Sequence, residues 1–228
     1  MQTAVDAKHH LIVAHGVTNV GNDRAQLAGM AGQATAAMGV QTLEALADRG
    51  YFSGEEVLAC KPLGVTPYLP KPLTSGAKAD GRYGKQDFVY RAEDDTYRCP
   101  ADETLTRRFR KTDEGRTFYI YATDACADCP LKADCTTAER RQIQRWEHEA
   151  VIDEMQTRLD RKPDAMRLRR AVAEHPFETL KSWMGATHFQ TRTLPKVRTE
   201  MSLHVLAYNL KRAIQILGPQ PLMAAMRA

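Results

Sequence analysis

The sequence predicts an α/β fold with a smaller β-rich insertion, and three patterns carry that prediction. Short apolar runs of strand length alternate with segments whose apolar residues recur at spacings of three and four. One strand-length run, residues 40–47, ends on Asp48 and is followed at once by Ser53-Gly54-Glu55-Glu56, the pattern of a capping box. The texture then changes over residues 86–136, where FVYRAEDDTYRC and RTFYIYA read as strands and four of the five cysteines fall.

The elements follow in order from local pattern. Residues 2–5 and 11–18 read as two strands joined by a polar turn at residues 6–9. A chain that opens on a core strand is expected to have had a partner strand in a segment before it. Asn22 or Asp23 caps a helix whose apolar residues Leu27, Met30, Ala34 and Ala37 recur at helical spacing, and Gly39 is its expected stop. Residues 40–47 form the strand leading to Asp48, residues 57–60 lie on the helix that follows, and residues 65–69 make another short strand. Pro67, Pro70, Pro72, Ser75, Gly76 and Gly81 mark the exit from this first unit. Beyond the insertion a helix is predicted from Glu139 through Leu159, with Ile143, Trp146, Ala150, Ile152 and Met155 on its apolar side. A second begins after Pro163, carries Glu174, and should kink or restart at Pro176. The last, residues 200–217, gathers Leu203, Leu206, Ala207, Leu210, Ile214 and Leu217 on one face.

Bulk properties bound the function. The chain has 228 residues, enough to bury a sizeable core, and its 43% hydrophobic and 26% charged content are ordinary for a globular protein. No apolar run approaches the ~20 residues that cross a bilayer, and no export signal opens the chain, so a cytoplasmic protein with reduced thiols is expected. The net charge of +4 is unevenly spread: residues 161–228 hold twelve Lys and Arg against four Asp and Glu. Such a basic third suits a polyanion such as DNA, and equally a solvated basic surface.

Asp48 and Glu174 are the acids that stand out. Asp48 closes a strand before a loop and helix, the place where open α/β sheets set their active sites. Glu174 lies in RRAVAEHPFETLK, which from Arg170 reads R-x3-E-x6-K, so Arg170, Glu174 and Lys181 share one helical face. A cationic face carrying one acid can hold phosphates while the acid holds a metal ion. Mg2+ requires hard oxygen ligands, and carboxylates from distant segments supply them for phosphodiester chemistry.

These segments, with QTAVDAKHHLIVAHGVTNVGNDRAQL, ADRGYFSGEE, YRCP, CADCPLKADC, EHPFETLKSWMG and KVRTEMSLHVLAYNLKR, resemble the catalytic half of the DDE transposases of bacterial insertion sequences. The resemblance implies an RNase H-like mixed sheet flanked by helices, with a small β-rich cysteine-containing insertion. It implies that Asp48 and Glu174 are the second and third catalytic acids and ligands for Mg2+ or Mn2+, that Arg170 and Lys181 contact DNA, and that DNA is the partner of a homo-oligomer. It also implies a first acid on an earlier strand, followed by Gly-Thr. That tripeptide occurs nowhere here, and Asp6 is the acid of the opening strands. The expectation is therefore the catalytic half of a transposase that cuts and joins DNA in its intact relatives and is inactive alone. Two other readings are a DNA-binding or assembly module without catalysis and an RNase H-like nuclease.

Cys126-x2-Cys129-x5-Cys135, with Cys99 upstream, offers four thiols for a structural Zn2+, for an iron–sulfur cluster or as free groups. Cys60 reads as a small buried residue. None of the seven histidines is assigned a catalytic role. The expected division is residues 1–80 for the first part of the core, 81–138 for the β-rich insertion and 139–228 for the helical part bearing the last acid.

Overall fold

The computed structural model describes residues 1–72, 76–225 and 227; Ser75, read above as part of the exit from the first unit, lies outside them. The chain is α/β and divides into two compact units, Met1–Lys71 with Val151–Ala228, and Pro72–Ala150.

The first unit opens with β1 (Gln2–Val5) and β2 (Ile12–Gly16), an antiparallel hairpin. Asp6 makes the turn, its carboxylate accepting the backbone N–H groups of Lys8 and His9 at 3.1 and 2.8 Å. α1 (Leu27–Met38) follows and buries Leu27, Ala28, Ala31 and Ala34. Its N-terminus is not capped by Asn22 or Asp23. Asn22 instead accepts from the Arg24 amide, and the Ala28 N–H reaches the Glu56 carboxylate at 2.8 Å. Gly39 ends the helix as predicted, in the left-handed conformation at φ 64°.

β3 (Leu43–Leu46) and β4 (Val65–Tyr68) pair in parallel, and α2 (Gly54–Cys60) lies on the crossover between them. The predicted capping box does not close: Ser53 Oγ donates to Glu55, while Glu56 serves α1. Gly64 feeds β4 at φ +66°, and a Cβ there would meet the Gln41 carbonyl oxygen at 2.2 Å, so a side chain is excluded. Cys60 is fully buried, as its sequence context suggested, and burial pushes its thiol up to about 11.

The second unit begins with α3 (Gly76–Ala79) and is built on a five-stranded antiparallel meander: β5 (Val89–Arg91), β6 (Thr96–Arg98), β7 (Thr104–Asp113), β8 (Arg116–Ala122) and β9 (Ile143–Trp146). The β7–β8 turn is Glu114-Gly115, both at positive φ, the two-residue geometry that suits strand twist. Phe88, Tyr97, Leu105, Tyr121 and Ile143 form the core. The Asp95 carboxylate accepts from the Tyr90 and Tyr121 hydroxyls at 2.8 and 2.5 Å.

β9 corrects the helix predicted from Glu139. Ile143 and Trp146 are buried in a strand, and α4 (Glu149–Asp160) starts only afterwards. The Glu149 carboxylate accepts from the Trp146 amide and from Lys85 Nζ, and so marks the strand-to-helix switch.

Back in the first unit, α5 (Ala165–Glu178) continues through Pro176 and gives way to a π-helical turn at Thr179–Trp183. Proline has no N–H for the helix ladder, and the wider turn just after it is the local adjustment. α6 (Leu194–Leu217) and α7 (Pro219–Ala225) complete the chain. α6 buries Met201, Val205 and Tyr208 against Ile12, Val17 and Leu180. The apolar face read from sequence is exposed instead: Leu203, Leu206 and Leu217 are 61%, 64% and 56% accessible.

α6 also satisfies backbone groups of the β2 side of the hairpin. Asn209 accepts the Ile12 N–H at 2.9 Å and donates to the Ile12 carbonyl at 2.8 Å, standing in for a neighbouring strand. Tyr208 donates to the His10 carbonyl at 2.6 Å, Arg212 to that of His9 at 2.8 and 3.1 Å, and Arg198 to that of Val17 at 3.0 Å.

Candidate functional site

Asp48 stands two residues past the end of β3, and its backbone starts a single 3-10 turn over Arg49–Tyr51. One carboxylate oxygen accepts the Gly50 N–H at 2.8 Å; the other accepts from Arg169 Nη2 of α5 at 2.6 Å. The strand-end acid is thereby tied to the helix that carries Glu174, across 121 positions of sequence.

Around this bridge lies a cavity of about 540 Å³. Its walls come from β1, from β3, from Leu27, Met30, Ala31 and Ala34 of α1, and from Leu168, Val172, Ala173 and Phe177 of α5. Asp23, Asp48, Tyr51 and Arg169 supply its polar end. Asp23 accepts from Gln2 Nε2 at 2.8 Å. Burial first, then the charges of Asp23 and Asp48, push the Tyr51 hydroxyl up to about 12.

Glu174 is not among the residues lining this cavity. At 1.5 Å and ~100° per residue it sits about 7.5 Å along α5 from Arg169 and about 140° around it. Its carboxylate is 65% accessible and lies 4.0 Å from Arg170 Nε, its i,i+4 neighbour. Arg170 is also exposed, and Lys181 is exposed on the π-helical turn, whose wider winding shifts it from the face that regular helix spacing would give. Asp6 is committed to its turn; burial pushes its carboxyl up, but the amides of Lys8 and His9 outweigh this and hold it below the usual range.

Two hard carboxylates suit Mg2+ in donor type. In number and arrangement they do not make a paired-ion centre: Asp48 is engaged by an amide and a guanidinium, and among the described residues no group of three or more His, Cys, Asp or Glu is arranged to hold a metal ion.

The cysteines converge more clearly. Cys99, Cys126, Cys129 and Cys135 line one cavity of about 20 Å³ in the second unit, beside Arg141, Phe88 and Leu105. Burial, opposed by Arg141 and reinforced by the other three thiols, pushes the Cys135 thiol up. The cavity is just roomy enough for one small sphere. Among the described residues the four cysteines share this cavity without forming a group arranged to hold a metal ion.

Sequence reasoning missed Arg169, Asp23 and Tyr51. Arg169 adjoins the motif arginine Arg170, and helical geometry alone could have assigned it to the face shared with Val172 and Ala173. It also missed the basic run Arg107, Arg108, Arg110 and Lys111 on β7, where Asp95, Asp124 and Asp113 answer Arg107, Arg108 and Lys111.

Comparison with known proteins adds the identity. No curated protein and no solved structure matches the chain. Among the described residues no helix is long and apolar enough to cross a membrane. Residues 98–214, just over half of the chain, match the family described as Transposase DDE domain, and the protein belongs to that family.

Proposed function

We propose that this chain works on DNA as a transposase DDE domain of RNase H-like fold, with Asp48 and Glu174 as its metal-binding acids and Arg170 and Lys181 as phosphate contacts. The observation that carries this reading is the Asp48–Arg169 bridge, which ties the strand-end acid to the helix of the second acid. A divalent ion, once bound, would activate the attacking oxygen or stabilise the leaving one. The residues present contribute two hard-oxygen ligands, and Arg169 balances the Asp48 charge where a cation is absent. Two carboxylates fall short of the paired-ion arrangement, so the 228 residues alone are proposed not to join DNA strands.

Manganese titration followed by electron paramagnetic resonance tests the acids. Weak Mn2+ binding is expected for the unaltered chain, and Asp48→Asn or Glu174→Gln should each reduce it; binding indifferent to both would remove them from the site. A mobility-shift titration over a salt series tests the partner. Neutralising Arg170 and Lys181 together should weaken DNA binding and reduce the salt slope by roughly two. DNA binding that needs those two residues but no metal would favour the non-catalytic module.

The shared cavity of Cys99, Cys126, Cys129 and Cys135 supports a second element of the proposal, a structural Zn2+ in the β-rich unit. Zn–S bonds of about 2.3 Å would draw the sulfurs to roughly 3.8 Å from one another. Elemental analysis of purified protein finding neither zinc nor iron would assign them as free thiols.

A further inference from the structure

We infer that Trp183 is a stacking platform for an unpaired DNA base, so that the DNA engaged by the π-helical turn after α5 is single-stranded at that point. The inference rests on the reading of the chain as a DNA-binding protein and is independent of the proposed metal-binding acids.

The first observation is an indole left in water. Trp183 closes the π-helical turn Thr179–Trp183 and is 78% accessible, the highest value among the exposed large apolar side chains of the described residues. Its neighbours turn inward: Leu180 is buried with Met201, Val205 and Tyr208, and Met184 packs against them. The other tryptophan, Trp146, is 7% accessible. Tryptophan is highly buried on average, so an indole this exposed calls for a partner, and π-helical turns gather at functional sites.

The second observation is the charge around the ring. Lys211 Nζ of α6 lies 5.1 Å from the ring centroid, a cation–π contact on one face. With so much of the residue accessible, the opposite face is open. Lys181, also exposed, stands on the same turn. Residues 179–228 hold seven Lys and Arg against one acid, Glu200. That acid is engaged locally, accepting the Gln190 and Thr191 amides at 2.8 Å and the Thr191 hydroxyl at 2.7 Å. Lys181 also borders a cavity of about 170 Å³ whose walls include Phe177, Phe189, His188 and His204. One lysine thus adjoins both the turn of the open indole and a recess lined by further rings.

The chemistry of the occupant follows. A flat π-face, open on one side and backed by an ammonium group, suits another flat π-system. Surrounding cations suit the phosphates of the chain that carries it. These are the two parts of a single-strand site, where cations follow the backbone and bases stack on exposed rings. Bases inside a duplex are stacked on one another and present no free face. The ligand is therefore a DNA strand with at least one unpaired base. An apolar protein surface would cover the indole but make no use of the cations beside it.

Intrinsic fluorescence of the 228-residue chain tests the inference, because Trp146 is buried and Trp183 is open to a ligand. A short oligothymidylate should quench Trp183. A long duplex of the same sequence should bind, by anisotropy of a dye on the DNA, with little quenching. Trp183→Leu should weaken single-strand binding about tenfold and leave duplex binding unchanged. Trp183→Phe keeps a ring and should recover most of the loss. The side chain is exposed, so both variants should keep the unfolding midpoint of the unaltered chain. Oligothymidylate that binds without quenching, or equal losses on single strand and duplex in Trp183→Leu, would overturn the inference and leave the wider DNA reading standing. Binding of neither DNA would overturn both. Single-strand binding unaltered in Trp183→Leu, with self-association reduced, would give the indole to a protein partner and overturn the inference as well.

Discussion

Single residues here carry consequences that can be measured. Arg169 and Asp48 are 25% and 45% accessible, so their ion pair is partly screened and worth about 0.5–1 kcal/mol. Arg169→Met should lower stability in denaturant titration by about that much, and free Asp48 should make Mn2+ binding tighter, not weaker. His175 offers a pH test. Burial first, then His10 and Arg212, hold its imidazole below its ordinary value of 6.5. The Tyr208 hydroxyl donates to the His10 carbonyl, so His175 Nδ1 must donate to Tyr208. Between the folded value and 6.5 the unfolded chain holds more protons, so stability falls as pH drops through about 6.5. Urea midpoints should decline from pH 7.5 to 5.5 more steeply than in His175→Gln. Residue-scale meaning was only half legible in sequence. Asp48 stands out in sequence because strand, loop and helix signals surround it. Arg169 does not, because nothing local tells which of two adjacent arginines meets a partner 121 positions away.

At the scale of elements, pattern located most strands and helices, missed β7, α3 and α7, and misjudged the side of α6 that faces inward. β1 matched residue for residue and Gly39 closed α1, because turn chemistry and glycine freedom are local. β9 was misread as helix, since its four residues fuse with the apolar periodicity of α4. For α6, burial is decided by what the hairpin offers: Tyr208 and Asn209 are drawn to backbone carbonyls and amides, and the leucine-rich stripe turns outward. Leu206→Gln should accordingly change stability by less than about 0.5 kcal/mol and reduce self-association at high concentration. Met201→Ala, at a side chain 1% accessible, should cost about 2–4 kcal/mol. Equal losses from the two would return the stripe to the core.

The whole molecule is two compact units with separate cores, and the split strand set of the first is its most consequential property. Sequence predicted one mixed sheet there; the described residues form two sheets of two strands with a cavity between their edges. Pattern could not show this: the four strands were each located, β2, β3 and β4 with longer bounds than observed, and which edges pair is not written in local sequence. If zinc occupies the thiol cavity, adding it should slow amide exchange within residues 72–150 and leave residues 1–71 and 151–228 unchanged. A uniform response would refute that localisation. The clamp of α6 on the β2 side of the hairpin bears on how the chain is made. The backbone groups of His9, His10, Ile12 and Val17 find their partners 181 to 203 positions later. On a ribosome adding about 5–20 residues per second, that interval is roughly 10–40 seconds, spent with the hairpin edge uncovered. Protease sensitivity of stalled nascent chains should therefore persist until α6 has been made and can reach the hairpin.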